Sequence, residues 1–232
     1  MAGPQRATSL DLDAIRACGL FAGLDDTTLH HVAGALRTRR FRRQETIFHA
    51  GDPGEALFIV TSGQVKITLP ADDGSEPAIL TTIGPGGFFG ALALLDGAPR
   101  SATAVALGKV ETHVLQRDAF ERLLDDEPAL RRVLLASLAG EIRRLTAQVE
   151  DLHFLDLPGR LARHLLRSLP AQTGEQRLPW PFTQTELAGM IGGSRQSVNR
   201  LLADLVSRDV LRFDGDELVI PDASRLAEAA RR

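Results

Sequence analysis

Three observations in the 232-residue sequence predict an α+β protein whose first half is rich in β-strands and whose second half is mainly helical. Short apolar runs alternate with glycine-containing turns from Phe41 onward, which is typical of a small antiparallel barrel or jelly roll. A long helical segment follows, from Phe120 to Leu155. Residues 183–220 then show two short helices and a β-hairpin, the order of parts in a winged helix–turn–helix.

The first part of the chain predicts short helices followed by strands. Residues 11–37 carry apolar side chains at helical spacing, and either Asp25 or Asp26 is expected to cap a helix there. The runs that we expect to form strands are Thr46–Phe48, Leu57–Val60, Val65–Leu69, Ile79–Ile83, Ala102–Ala106 and Glu111–Leu115.

The stretch Gly84–Ala106 has features of a phosphate site. Its glycines allow close backbone approach, and the turn Ala91–Leu95 would direct free N–H groups toward an anion. Arg100 can pair with a phosphate in bidentate fashion, and Ser101 adds a hydroxyl. A surface arginine after a glycine-rich turn is also common where no ligand binds.

The long helical segment carries an apolar seam whose members are separated by 3, 4, 3, 4 and 3 residues. Such heptad spacing predicts a partner helix, and hence a dimer; the alternative is that the stripe packs on the barrel. The seam comprises Leu135, Leu138, Ile142, Leu145, Val149 and Leu152. We expect Pro158-Gly159 to end this helix and to provide a hinge before Arg160–Leu169.

The two short helices form the best-defined motif. Thr183 and Glu186 have the spacing of a capping box at the first helix, and Gly192-Gly193 supplies the break. Ser194 is expected to cap the second helix. Its buried stripe would comprise Val198, Leu201, Leu202 and Leu205.

The polar face of the second helix suits DNA, because a recognition helix meets base edges with its first turns. Arginine suits guanine, and glutamine or asparagine suits adenine. The residues expected at bases are Arg195, Gln196, Asn199 and Arg200, and those expected at phosphates are Thr183, Gln184 and Ser194. The alternative, an ordinary helical hairpin, is disfavoured by the predicted wing, in which Val210–Phe213 and Glu217–Ile220 flank the turn Asp214–Asp216.

Composition limits the remaining classes. The net charge is −3, but residues 158–232 hold 11 Lys+Arg against 9 Asp+Glu, whereas the rest hold 16 against 21. Phosphate affinity would therefore depend on a few well-placed arginines. No signal peptide and no run of about 18 apolar residues is visible, which predicts a cytoplasmic protein with no membrane partner. Cys18 is the only cysteine, and no catalytic constellation or metal-ligand spacing is present.

Several motifs together resemble transcription regulators of the cyclic-AMP receptor protein (CRP/FNR) family. GDPGEALFIVTSG (51–63) is similar to a glycine-bounded hairpin of cyclic-nucleotide-binding domains, and FGALALLDGAPRSATAV (89–105) is similar to their phosphate-binding cassette. DLPGR (156–160) resembles the family hinge, and GGSRQSVNRLL (192–202) resembles the recognition helix. The resemblance covers nearly all of residues 12–228 and implies a cyclic-nucleotide-binding-type β-roll at 1–128, a dimerisation helix and hinge at 129–157, and a winged helix–turn–helix at 158–232.

The resemblance also implies a ligand site. Its residues would be Phe89, Gly90, Ala91, Leu92, Arg100, Ser101 and, reaching the ligand of the partner subunit, Thr146. Two positions depart from the family pattern: Ala91 replaces a glutamate that holds the ribose 2′-hydroxyl, and Leu145 replaces a threonine that hydrogen-bonds the adenine. Losing a charge-assisted hydrogen bond should cost roughly 1.5–3 kcal/mol, so the absence of these anchors disfavours cyclic AMP. The more positive pocket suits a cyclic dinucleotide such as cyclic di-GMP, and equally a pocket that senses nothing.

Other sensors of the family fit poorly. An iron–sulfur cluster needs several cysteines, and isolated histidines are usually surface or structural residues, which disfavours haem. We therefore expect a homodimeric regulator, not an enzyme, with no obligatory cofactor. Its partners would be palindromic double-stranded DNA and RNA polymerase. The alternatives are a regulator that binds DNA without a ligand, and a nucleotide-binding regulatory subunit of an enzyme, which would lack the winged helix.

Overall fold

The computed structural model describes residues 15–16, 18–71, 77–169 and 174–229. The chain divides into two compact units, one of residues 1–70 and 80–140 and the other of residues 71–79 and 141–232.

The expected helical region at 11–37 is confirmed in part. A 3-10 helix, Gly19–Phe21, precedes α1, Asp26–Ala35. Asp25 is the cap, since its Oδ1 accepts from Thr28 N at 2.8 Å; residues 11–14 lie outside the described part.

The first unit is built on two four-stranded sheets, in the orders β1-β8-β3-β6 and β2-β7-β4-β5. The strands are β1 Arg37–Phe41, β2 Thr46–Phe48, β3 Ala56–Ser62, β4 Val65–Leu69, β5 Ala78–Ile83, β6 Phe88–Phe89, β7 Thr103–Ala106 and β8 Val110–Gln116. All six predicted runs are strands; the short strands β1 and β6 are additions to the prediction.

Strand β3 explains how this unit is packed, because successive side chains of a strand point to opposite faces. Ala56, Phe58 and Val60 belong to one buried apolar cluster. Leu57 and Ile59 belong to another, which includes helical residues from both ends of the unit. Since both faces of β3 are covered, the strand is apolar from Ala56 to Val60 rather than alternating.

The helical segment predicted from Phe120 to Leu155 consists of two helices. Helix α2, Ala91–Asp96, lies earlier, between β6 and β7. Helix α3 spans Arg117–Asp126, and α4 spans Pro128–Phe154. The junction falls at Glu127 because the next residue, Pro128, starts α4. A proline fits the first turn of a helix, where its missing N–H is not needed.

The expectation for Pro158-Gly159 is wrong, for the same reason. These residues do not end α4, which ends at Phe154; they lie in the first turn of α5, Leu157–Ser168. Asp156 caps α5, and its Oδ1 accepts from Gly159 N at 2.8 Å. The helices therefore separate at Leu155-Asp156, and the proline starts the second helix instead of stopping the first.

The second unit contains the two predicted short helices. Helix α6 spans Gln184–Ile191 and α7 spans Arg195–Ser207. A three-stranded sheet, in the order β10-β11-β9, and a last helix α8, Ala223–Ala229, complete it. The strands are β9 Gln176–Pro179, β10 Arg212–Asp214 and β11 Glu217–Ile220. The expected hairpin is confirmed, but it begins at Arg212, because Val210 and Leu211 are buried in the core before the strand starts.

Candidate functional site

The segment predicted to be a phosphate-binding cassette, residues 89–105, begins where β6 turns into α2. Gly90 caps α2 with φ = +86°, a left-handed conformation that glycine adopts without strain. A Cβ at this position would lie 2.5 Å from Nη1 of Arg100, so the glycine also makes room for the arginine. The predicted helical turn at Ala91–Leu95 is confirmed as part of α2.

Arg100 is buried rather than on the surface, with 6% of its area exposed. Its Nη1 donates to Gly90 O and its Nη2 to Ala56 O, each at 2.7 Å. The buried Nε has no hydrogen-bond partner, and the guanidinium lies 4.3 Å from the centroid of the Phe48 ring. Burial, followed by the nearby charge of Arg117, lowers the pKa of Arg100 from its ordinary value. Within the described residues, no carboxylate forms an ion pair with this side chain.

The structure brings only some of the predicted ligand residues together. Phe89 and Ala91 are buried beside Gly90, and the Phe89 ring stacks on Phe58 with 5.2 Å between centroids. Leu92 and Ser101 are exposed on the cassette surface. Thr146 belongs to the other unit, where its Oγ1 donates to Ile142 O at 2.9 Å.

Arg117 is a cassette residue that the sequence did not reveal. Its Nη2 donates to Ala93 O at 3.0 Å and to Gly54 O, and its Nη1 donates to Leu94 O at 3.4 Å. The side chain therefore holds carbonyl groups of α2 in place from the first residue of α3. The sequence around Arg117 contains no recognisable motif, because an arginine directly after a strand is common. Its charge is already paired, with Glu121 Oε1 at 3.2 Å and with Glu55 Oε2 at 4.0 Å.

The helix–turn–helix has the predicted local geometry. Thr183 Oγ1 accepts from Glu186 N at 3.2 Å, and Thr183 N donates to Glu186 Oε2 at 2.9 Å, which completes the capping box. The turn begins at Gly192 with φ = +69°. Ser194 caps α7 by accepting from Ser197 N at 3.1 Å. These contacts fix the start of α7, the part expected to meet DNA.

The two faces of α7 differ as the sequence predicts. Val198, Leu202 and Leu205 are buried, whereas Leu201 is half-buried. The polar residues Arg195, Gln196, Asn199 and Arg200 are exposed. Neither arginine has an ion-pair partner among the described residues, so both guanidinium groups are available to an anion or a base. Gln184 Nε2 donates to Asn199 Oδ1 at 3.1 Å, a contact that the sequence did not predict.

The wing is different, because its arginines are already paired. Arg177 forms ion pairs with Asp214 and Glu217 at 3.0 Å and with Glu175 at 3.3 Å. Arg212 pairs with Glu175 at 2.7 Å. Unpaired positive charge in this sheet is therefore scarce, which leaves the arginines of α7 as the main cations of the DNA-facing motif.

The heptad seam on α4 is largely uncovered in the single chain. Leu138 packs against the core of the first unit. The exposed fractions of the others are 66% for Leu135, 65% for Ile142, 37% for Leu145, 65% for Val149 and 54% for Leu152. Packing on the barrel thus accounts for one of the six positions. A row of exposed large apolar side chains marks an interaction surface.

The fold and these sites define a DNA-binding transcription regulator with a sensor domain, and comparisons with known proteins specify it further. Residues 38–127 match the cyclic nucleotide-binding domain, and residues 159–229 match the Crp-like helix-turn-helix domain. The chain is 37% identical over 225 residues to the CRP-like cAMP-activated global transcriptional regulator of Mycobacterium tuberculosis, covering 95% of this chain and 100% of the relative. The chain belongs to the CRP/FNR family, which confirms the resemblance; the family consists of transcription regulators, not enzymes.

Solved structures support the same fold. FixK2 from Bradyrhizobium japonicum superposes with a TM-score of 0.75 at 23% identity, covering 84% of this chain and 96% of FixK2. The c-di-GMP-responsive global regulator CLP of Xanthomonas campestris superposes with a TM-score of 0.71 at 24% identity, covering 85% and 99%. The helix-turn-helix match favours a DNA-binding regulator over a regulatory subunit of an enzyme.

Neither a metal site nor a membrane-spanning helix is present among the described residues. No group of three or more His, Cys, Asp or Glu residues in those parts of the chain is placed to hold a metal ion. None of the described helices is long and apolar enough to span a membrane.

Proposed function

We propose that the protein is a homodimeric regulator whose binding to palindromic DNA is controlled by a phosphate-containing small ligand held at Arg100. Residues 1–128 would form the sensor, 129–157 the dimerisation helix and hinge, and 158–232 the DNA-binding part. The regulator would act in the cytoplasm, together with RNA polymerase. The observation that carries the ligand proposal is the burial of the Arg100 guanidinium without a paired carboxylate.

A buried positive charge normally has an anionic partner, because removing an ion from water is costly. Arg100 has two carbonyl oxygens and an aromatic ring instead, and its Nε has no acceptor. A phosphate would supply the missing negative charge and accept from two nitrogens at once. Gly90, with its positive φ and no side chain, keeps the approach to the guanidinium open.

The choice of ligand follows from the polar groups that the sequence offers and lacks at the positions expected to bind it. The relative from Mycobacterium tuberculosis is cAMP-activated, which supports a cyclic nucleotide as the chemical class. Ala91 provides no carboxylate for a ribose hydroxyl, and Leu145 provides no hydrogen bond for an adenine. Without a carboxylate at position 91, the positive charge of Arg100 is less compensated. A ligand with two phosphates, such as cyclic di-GMP, fits this charge better than cyclic AMP does.

A second candidate, DNA binding without any ligand, is favoured by one specific observation. Both terminal nitrogens of Arg100 already donate to backbone carbonyls, from Gly90 and from Ala56. In that arrangement the arginine acts as an internal brace between the cassette and β3, a role that requires no ligand. The two candidates differ in whether Arg100 contributes to ligand affinity or only to stability.

DNA readout is assigned to the exposed start of α7. Arg195 and Arg200 are free of ion pairs within the described residues and are each proposed to contact a guanine. Gln196 would contact a neighbouring base pair. Thr183, Gln184 and Ser194, at the helix starts, would contact phosphates. Two copies joined through the α4 seam would place two such helices about one DNA turn apart, roughly 34 Å.

Calorimetry with cyclic AMP, cyclic GMP and cyclic di-GMP tests the ligand proposal. We expect cyclic di-GMP to bind most tightly and Arg100→Gln to weaken it by about tenfold to a hundredfold, the loss of one charge-assisted bond. Arg177→Gln is the matched control, because that arginine lies in the wing. Thermal unfolding of each variant separates lost affinity from lost stability. If none of the three ligands binds and DNA affinity is unchanged by them, the ligand-independent candidate replaces the first.

A further inference from the structure

The hydrogen bond between Gln184 and Asn199 joins the two helices of the DNA-binding motif. Gln184 is the first residue of α6, and Asn199 is the fifth residue of α7. Gln184 Nε2 is the donor and Asn199 Oδ1 the acceptor, 3.1 Å apart, in an exposed position. A hydrogen bond between two exposed side chains that are far apart in the sequence restricts rotation of the Asn199 amide, which would otherwise turn freely.

The direction of this bond determines what Asn199 can still offer. A side-chain amide has an oxygen with two lone pairs and a nitrogen with two hydrogens. Gln184 occupies one lone pair of Asn199 Oδ1, which leaves the other lone pair and both Nδ2 hydrogens. One acceptor beside one donor is the pair of groups that matches N6–H and N7 of adenine in the major groove.

The remaining groups of Gln184 complete the arrangement. Its Nε2 uses one hydrogen for Asn199 and keeps a second. Because Gln184 stands at the start of α6, where helices of this motif approach the DNA backbone, that second hydrogen can reach a phosphate oxygen. A single amide can thus contact the backbone and a neighbouring base-reading side chain together.

Asn199 is also on the correct side of α7. It follows Gln196 by three residues and Arg195 by four, and residues at these spacings are neighbours on one helix face. All three are exposed, whereas Val198 and Leu202 are buried. Asn199 therefore shares the surface that the proposed function assigns to base edges.

We propose that Gln184 is a positioning residue that sets the base preference of Asn199, in a chain that runs from a phosphate through Gln184 and Asn199 to an adenine. This proposal rests on the proposed readout of DNA by α7. Without the bridge, the Asn199 amide can rotate by 180° and present its nitrogen where its oxygen stood. The preference for adenine would then be lost even though Asn199 itself is intact.

The test measures dissociation constants of the full-length protein by fluorescence anisotropy. The DNA is the palindrome selected by the wild type and three versions of it, each changed at the base pair that Asn199→Ala relaxes. We expect Asn199→Ala to reduce discrimination at that pair by about tenfold to a hundredfold. Gln184→Ala should reduce discrimination at the same pair by about tenfold. The double variant should discriminate between base pairs as well as Asn199→Ala alone does, because the two residues act as one unit.

Two substitutions at Gln184 give matched controls of similar size. Gln184→Glu provides only acceptors, so Asn199 would turn its nitrogen toward the carboxylate and lose its preference for adenine. Gln184→Arg provides only donors, so it would keep that preference while binding every sequence more tightly through the added phosphate charge. A residue that merely contacts phosphate would change affinity in both variants but leave the base preference alone.

Other results overturn the proposal in ways that can be told apart. If Gln184→Ala weakens all four DNA versions by the same factor, Gln184 only contacts phosphate and does not position Asn199. If Asn199→Ala relaxes no base pair while Arg195→Ala still relaxes one, the bridge has no part in readout but the proposed function stands. If the wild type itself prefers no sequence, the proposed readout fails, and the bridge proposal fails with it.

Discussion

The exposed seam on α4 should hold two copies of the chain together, and two lysines placed in it should separate them. The perturbation is Ile142→Lys with Val149→Lys. Each of these side chains is 65% exposed in the single chain, so a partner helix would remove about two-thirds of each from water. Full burial of such a side chain contributes roughly 1.5–3 kcal/mol, which gives about 1–2 kcal/mol for each.

Two positions in each of two copies then contribute about 4–8 kcal/mol to association. At about 1.4 kcal/mol per tenfold, the dimer dissociation constant of the double variant should rise by roughly a thousandfold or more. Charges buried without partners add to the loss. Sedimentation velocity at micromolar concentration should show the wild type as a dimer and the variant as a monomer.

The matched control adds the same charge away from the seam. Ala136 and Ser137 are exposed on α4 and occupy neither heptad position of the seam, so Ala136→Lys with Ser137→Lys should remain a dimer. If Ile142→Lys with Val149→Lys also sediments as a dimer, the seam is not the interface and the reasoning from its exposure is refuted.

Three further predictions concern single side chains. Ala91→Glu should tighten cyclic AMP binding by about tenfold to a hundredfold in calorimetry, whereas submicromolar affinity in the wild type would contradict our reading of the pocket. Thr183→Ala should lower the free energy of unfolding by about 1 kcal/mol in denaturant titration, and Thr183→Ser should not, because serine retains the cap. Burial, opposed in part by the charge of Glu111, lowers the pKa of His113 below its ordinary value of about 6.5. As the pH falls, the unfolded chain therefore takes up a proton on His113 before the folded chain does. The free energy of unfolding should decrease between pH 7.5 and 5.5, and it should decrease less in His113→Gln. Equal decreases in the two proteins would argue against a role for His113.

Much of the fold was predictable because it depends on local rules. Short apolar runs separated by glycine-containing turns located six strands, and the Thr183–Glu186 spacing located the start of α6. Strand β9 was missed since Gln176–Pro179 is not an apolar run and is defined by its pairing with β11. The Pro158-Gly159 pair was misplaced because proline both follows helices and starts them, and only the capping bond of Asp156 decides which.

The site was predictable in its residue types but not in its contacts. The sequence indicates an arginine after a glycine-rich turn, but not that Arg100 would turn inward to the carbonyl of Ala56, a residue 44 positions away. Arg117 and the Gln184–Asn199 bond share this property, since each joins segments that only the tertiary fold brings together. Hydrogen bonds of this kind leave no spacing pattern in a sequence.

Selection of binding sites from a random pool of double-stranded DNA tests the central claim most directly, namely that a dimer reads DNA through α7. The wild type should enrich palindromes whose half-sites lie about one helical turn apart, roughly 34 Å. Gln196→Glu should enrich the same palindrome with cytosine favoured at one base pair of each half-site, because a carboxylate accepts from cytosine N4 whereas an amide also suits adenine. Selected sites without two-fold symmetry, or an identical base preference for the two proteins, would contradict this account.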